Sequence, residues 1–542
     1  MKRTRFRSRV GSIILLGACL VLFVTGGTIS LRAATFDLQS ATISDINAAF
    51  DSGALTSEKL VQLCLARIST YEPKLHAVIT LNPKALEEAR ALDAERKAKG
   101  PRSPLHGIPV IFKDNYDTAD LQTSGGFFGL KGSIPPQDST IVAKLRAAGA
   151  IILLKANLSE FASGAAMSSL GGQSHNPHNL AYSPSGSSGG TGVSIAAAYA
   201  PLGYGTDTGG SIRGPSTANG IVGLKPTQGL LSRAGIIPLV LSFDTGGPMA
   251  RSVYDIAVSL NLTTGLDPRD DATKRAEGQV PPDYTKFLDK AALKGARIGV
   301  ARDFFGQDGE VDSTMESALS AMRHAGATII DVHYPDGVLK TRADVYATIT
   351  RSEFKVQVGQ YLATLKPGYP KTLEDMIALS EKVTSPTPEG YLPNPTRLTG
   401  YRTNEKGPPL TDPLYLATKN FGVPYIRESL IAVFVANKLD AIVYPTSPRR
   451  PTRISDFTPP PAGGAAAAGA GSATNLANIT GFPDLIIPAG FTTDGLPIGI
   501  SFFGRAFTEP KLLALGYAYE QATHALRQPV NTPSLPGESF TY

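Results

Sequence analysis

Residues 183–225 read SPSGSSGGTGVSIAAAYAPLGYGTDTGGSIRGPSTANGIVGLK. Glycine and small hydroxyl residues dominate this run, a composition shared with flexible linkers. It nevertheless encloses the apolar stretch 193–199 and closes on the apolar stretch 220–224, both patterned like buried segments. If residues 189–198 form a helix, they advance about 15 Å at ~1.5 Å per residue, and an extended return over 201–205 covers about 16 Å at ~3.3 Å per residue. The chain then comes back level with its start. Ser187, just before the helix, and Ser211, just after the return, meet at one end of a sheet. Gly209 and Gly210 let backbone N–H groups converge there without side-chain obstruction. Such a cluster of donors stabilises the negative oxygen of a tetrahedral intermediate by about 2.7–4 kcal/mol per donor.

Outward from this run the pattern alternates between helix and strand. Residues 44–99 are helical in spacing, with Leu60, Leu63, Cys64, Arg67 and Ile68 on one face and 84–99 dense in helix formers. Residues 107–112 read as a buried strand, 138–148 as a helix ending at Gly149, and 151–154 as an apolar strand. Strand, helix, glycine and strand recur over 297–301, 315–326 and 327–332. This alternation predicts an α/β fold with helices packed against a sheet. Residues 266–293 read as an internal connection and 459–471, rich in Pro, Gly and Ala, as a surface loop.

A serine nucleophile needs a base. None of the seven histidines sits in a recognisable triad motif, and His175 and His178, an HxxH pair without a carboxylate at ligand spacing, read as loop residues rather than a metal site. Lys113 follows the apolar run 108–112 directly. Two readings stand at this point. The ammonium is carried inward, where desolvation frees a neutral amine to accept a proton, or it pairs with Asp114 or Asp117 at the strand end. Two further motif matches fall away. Residues 186–190 satisfy G-x-S-x-G, but a loop and not a strand precedes them; residues 203–205 lack the third glycine of a dinucleotide fingerprint. Cys64 has no activating motif and reads as a small buried apolar residue.

At these residues the chain resembles the amidase signature family. The segment PLHGIPVIFKDN around Lys113, GSSGG at 186–190 and GTDTGGS at 205–211 match its three spaced motifs, and the likeness runs from about Ser44 through FPDLIIPAGF and GLPIGISFFG. The resemblance implies one large domain over residues 35–542, a mixed central sheet surrounded by helices, and hydrolysis of a carboxylic amide without metal or organic cofactor. It implies Ser211 as the acyl-ester nucleophile and Ser187, preceded by a cis peptide, as the proton bridge. Lys113 becomes the acid/base, and the N–H groups of Thr208, Gly209, Gly210 and Ser211 the oxyanion hole. The substrate is a small-molecule or peptide amide, with peptide C-terminal or aryl amides favoured by the likeness of residues 229–251 to secreted peptide-amidase-like members. The alternatives are the glutaminase component of a tRNA-dependent amidotransferase and an inactive binding protein on the same fold. Two departures bear on specificity: Ser185 stands where the family often has glycine, and Gly214 where a larger apolar residue is commoner.

The net charge of +6 is small for 542 residues, and Lys2, Arg3, Arg5, Arg7 and Arg9 account for much of it, which argues against nucleic acid as a partner. Those basic residues precede an apolar run at 13–24 and the small residues Ala33 and Ala34, the three-part layout of a signal peptide over 1–34. The expectation is export to the periplasm or beyond. The alternatives are a retained N-terminal membrane anchor, and a lipoprotein tethered through Cys19 in the lipobox-like LGAC at 16–19.

Overall fold

The computed structural model describes residues 34–456 and 472–542. Residues 1–33 of the expected signal peptide, with Cys19, and the whole of the expected 459–471 loop lie outside the described residues. Eleven strands among those described form one mixed sheet: β1 (Val78–Leu81), β2 (Pro109–Lys113), β3 (Ile151–Ala156), β4 (Leu202–Asp207), β5 (Val222–Lys225), β6 (Thr245–Ala250), β7 (Arg297–Ala301), β8 (Thr328–Val332), β9 (Ala441–Pro445), β10 (Asp484–Phe491) and β11 (Pro497–Phe503). Their spatial order is β8-β7-β9-β11-β10-β5-β6-β4-β2-β3-β1. The expected α/β class and central mixed sheet are therefore observed, in a single domain with helices flanking the sheet.

The strands β2, β3 and β4 are buried along their whole length, and the apolar runs of β2 and β3 reflect helices covering both faces of the sheet. The helical reading of residues 44–99 needs one correction. Helices at Ile43–Asp51, Ser57–Leu75 and Ala85–Lys99 are present, but β1 interrupts them. His76, in the left-handed conformation, ends the second helix, and Val78-Ile79-Thr80, β-branched throughout, pairs antiparallel with the edge of β3.

The chain ends are tied to the body. Thr35–Asp37 pairs antiparallel with Ser539–Thr541. Arg67, fully buried on the helix Ser57–Leu75, forms an ion pair with Glu538 at 2.7 Å and donates to the carbonyls of Ala197 and Thr532. Cys64 is buried one turn away, and burial pushes its thiol up to about 12, which leaves it a neutral, unreactive group. Removing one member of a buried ion pair leaves the other uncompensated. Arg67→Met is therefore expected to destabilise the protein by about 3–5 kcal/mol, read as a lowered thermal midpoint.

Candidate active site

Strands β4 and β2 are parallel neighbours, so their C-terminal ends, Asp207 and Lys113, reach the same edge of the sheet. That edge is where open α/β sheets place their ligands. The helix α1 (Gly189–Ala196) starts from the same edge, as the chain arithmetic requires, with Ser187 and Ser188 just before it. The two serine clusters meet: the Ser188 N–H donates to the Ser211 carbonyl at 3.1 Å. The Ser188 hydroxyl lies 3.2 Å from the Thr206 carbonyl and 3.3 Å from its N–H. The Gly186–Ser187 peptide is cis.

Lys113 is fully buried, with its Nζ 2.7 Å from Ser187 Oγ and 2.7 Å from Thr206 Oγ1, and Asn115 holds Thr206 from the other side at 3.1 Å. Burial lowers the lysine to about 7, against the opposing pull of the Asp207 and Asp244 carboxylates. The two candidate partners of the alternative reading are engaged elsewhere. Asp114 pairs with Lys155 at 3.2 Å and accepts from the Ser124 hydroxyl, while Asp117 accepts from the Tyr361 phenol at 2.9 Å. Asp114, the next residue after the strand, leaves on the face opposite Lys113, and Asp117 lies beyond the turn that follows. His175 and His178 bond the backbone carbonyls of Leu180 and Asn219, and burial lowers His178 to about 4. Among the described residues no group of three or more His, Cys, Asp or Glu is arranged to hold a metal.

The loop from Asp207 to Ser211 is held by charge. Burial alone would raise the Asp207 carboxyl, but the guanidinium of Arg213, 3.0 Å away at both Nε and Nη2, holds it well below the usual carboxylate range. Arg213, fully buried on α2 (Arg213–Ala218), also reaches Asp484 at 2.9 Å and Asn478 at 2.5 Å. Asn478 returns a hydrogen bond to Asp207 at 2.9 Å. Asp207 further accepts the N–H groups of Gly210 and Ile212, at 2.8 and 2.9 Å. The buried Asp244 accepts the Thr208 hydroxyl at 2.5 Å and the N–H groups of Leu239 and Val240, both at 2.9 Å. Gly210 sits at φ +128°, where an L side chain is strained, and a Cβ on Gly209 would lie 2.7 Å from the Tyr346 hydroxyl.

The four donors expected for an oxyanion hole do not all face the same way. Because the Gly210 N–H is taken by Asp207, it leaves the set, and Thr208, Gly209 and Ser211 remain. Gly209, Gly210 and Ser211 are only half-buried, so a substrate can approach them, whereas Lys113 and Ser187 lie behind them in the interior. The roles of Thr206, Asp244, Asn478 and Asp484 escaped the sequence reading. Asp207 and Arg213 lay inside the quoted motif, where two opposite charges among glycines were the available signal.

The family profile for Amidase matches residues 59–513. The chain belongs to the amidase signature family. It is 35% identical to a probable amidase of Arabidopsis thaliana over 97% of this chain and 98% of that protein. It is 36% identical to a glutamyl-tRNA(Gln) amidotransferase component of Alkalilimnicola ehrlichii, over 91% and 99% of the two chains. Among solved structures, the native peptide amidase from Stenotrophomonas maltophilia superposes with a TM-score of 0.82 at 37% identity, covering 91% of this chain and 99% of that one. The protein is an amide hydrolase.

The depressed lysine has a consequence for stability. The unfolded chain keeps its lysine protonated up to about 10.4, the folded one only to about 7. The folded state therefore gains stability as pH rises between these values and carries the full cost of the buried amine below them. Lys113→Met is expected to raise the thermal midpoint, with the larger gain at pH 6 than at pH 9, while hydrolysis is lost.

Proposed function

We propose that the protein cleaves carboxylic amides through an acyl-enzyme on Ser211, with Ser187 relaying protons to and from Lys113. The observation that carries this reading is the buried amine of Lys113, 2.7 Å from Ser187 at the strand edge that also holds Ser211. In the first half-reaction neutral Lys113 accepts the Ser187 proton as Ser187 takes that of Ser211. Ser211 Oγ then bonds to the amide carbon, and the carbonyl oxygen becomes negative against the N–H groups of Thr208, Gly209 and Ser211. The C–N bond breaks as Ser187 returns the proton to the leaving nitrogen, so that an amine departs and not an amide anion. Water repeats the sequence in reverse to release the acid.

The substrates we favour are peptide or aryl amides. Support comes from the similarity to the peptide amidase of S. maltophilia, and to a peptide amidase in complex with the competitive inhibitor chymostatin, at a TM-score of 0.79. The similarity to the glutamyl-tRNA(Gln) amidotransferase component favours a second reading, in which the amide is that of glutamine. We also propose export directed by residues 1–34. Support comes from the basic, apolar and small-residue layout of that segment and from Thr35–Asp37, which follows the expected cleavage point and is anchored to the C-terminal strand.

Turnover of a panel of primary amides, anilides, esters and glutamine by the full chain tests the mechanism and separates the two substrate readings. Ser211→Ala is expected to lower kcat/KM on every substrate by about 10³-fold or more, and retention of the wild-type rate would remove Ser211 from the chemistry. Ser187→Ala is expected to slow amides far more than esters, because an alkoxide leaves without the proton an amine requires. Since the base must be neutral and titrates near 7, kcat/KM on amides should fall about tenfold per unit as pH drops below that value.

A further inference from the structure

Two consecutive residues without the freedom of glycine, Phe161 and Ala162, stand in the left-handed conformation at φ +47° and +57°. Each such position costs about 1–3 kcal/mol and persists only where its surroundings over-determine it. The strained turn follows β3 and lies against the peptide that leads into the proton bridge. The Ser159 N–H donates to the Ser187 carbonyl at 3.0 Å, and a Cβ on Gly186 would stand 2.3 Å from Ser159 Oγ. The Ser159 hydroxyl donates on to the Gly164 carbonyl at 3.1 Å and closes the turn. Ser187 is thus held through its backbone by residues 159–164, while its hydroxyl meets Lys113 at 2.7 Å.

The strain is held in place by a clamp from another part of the chain. Glu160, 1% exposed, accepts the Ser169 N–H and the Tyr401 phenol, both at 2.9 Å. A carboxyl enclosed in this way is costly unless its oxygens are met, so the turn and the phenol depend on each other. Tyr401 and Arg397 both come from the helix Pro395–Glu405. Arg397 stacks on the Tyr401 ring, its guanidinium carbon 4.2 Å from the ring centre, and donates to the Phe161 carbonyl at 3.4 Å. The Phe161 ring packs edge-on against Tyr401 at 6.2 Å, and the Phe161 N–H donates to the Gly125 carbonyl at 2.8 Å. Strain of this kind gathers at functional sites, and here it stands one hydrogen bond from Ser187.

We propose that Glu160 and Tyr401 are positioning residues for Ser187. They clamp the turn at 159–162 so that the Ser159 N–H fixes the Ser187 carbonyl, and with it the angle at which the Ser187 hydroxyl meets Lys113 and the leaving nitrogen. The inference rests on the amidase reading of Ser187 and adds a remote part of the chain, the helix Pro395–Glu405, on which the proton relay depends. Loosening the clamp lets Ser187 drift. Delivery of a proton to a departing amine then suffers most, because the alkoxide of an ester leaves without it.

The test measures kcat/KM of the full chain on an amide and an ester of one acyl group, chosen among substrates that the wild type turns over. Tyr401→Phe removes the phenol hydroxyl, and Glu160→Gln turns one acceptor oxygen into an N–H₂ group. Arg67→Met is the comparison, since it lowers stability through a buried ion pair that makes no contact with this turn. Displacing a reacting group by about 1 Å costs as much as about 100-fold, so the amide-to-ester ratio is expected to fall at least about tenfold in Tyr401→Phe and in Glu160→Gln. It is expected to keep the wild-type value in Arg67→Met, and either clamp variant serves if the other folds poorly. A wild-type ratio in the clamp variants, or an equal fall in Arg67→Met, overturns the positioning role. Failure of the wild type to turn over any amide overturns the amidase reading itself and is seen before any variant is compared.

Discussion

The site depends on an amine with no room for its charge. Lys113 is fully enclosed at the end of a central strand, and the charges that bear on it are the Asp207 and Asp244 carboxylates, both drawn toward other partners. A surface lysine would be protonated at neutral pH and useless as a base. Depression to about 7 places its lone pair within reach of Ser187 under the conditions where an amide must be attacked. A buried amine of this kind lowers stability, and the surrounding sheet, buried on both faces, supplies the excess that tolerates it.

The second requirement is a rigid frame around a loop built of small residues. Asp207, Arg213, Asp484 and Asn478 form a buried network in which the carboxylates are met by guanidinium, amide and backbone N–H groups and, at Asp484, by the Tyr444 hydroxyl. Such networks contribute little net stability when complete and cost much when broken. Their value here is geometric: Asp207 pulls the Gly210 and Ile212 N–H groups inward, and Asp244 holds the Thr208 hydroxyl. Gly209, Gly210 and Ser211 of the same loop are only half-buried.

Much of this was legible in the chain. The encounter of the two serine clusters followed from the rise of a helix and a strand over residues 189–205, and the structure returns the chain to its start within one hydrogen bond. The burial of Lys113 was not decidable from sequence, because Asp114 and Asp117 offered equally near partners, and only the turn that follows β2 takes them to Lys155 and Tyr361. The interruption of residues 44–99 by β1 was hidden because a four-residue edge strand between long helices leaves too short a periodic signal. The loss of Gly210 from the donor set was hidden for a different reason: the Asp207 side chain turns back on its own backbone. Asp244 and Asp484 act across the sheet, through contacts that spacing does not encode. That Ser185 and Gly214, which looked like separate departures, lie against each other likewise required coordinates.

The central claim is that a buried neutral lysine activates Ser211 through Ser187. It is tested most directly by the rate at which a fluorophosphonate modifies the full chain as a function of pH, read by intact mass with the adduct located by peptide mapping. The account predicts a single adduct on Ser211, forming at a rate that falls about tenfold per pH unit below an inflection near 7. An adduct on another residue, or a rate independent of pH between about 5 and 9, would contradict it.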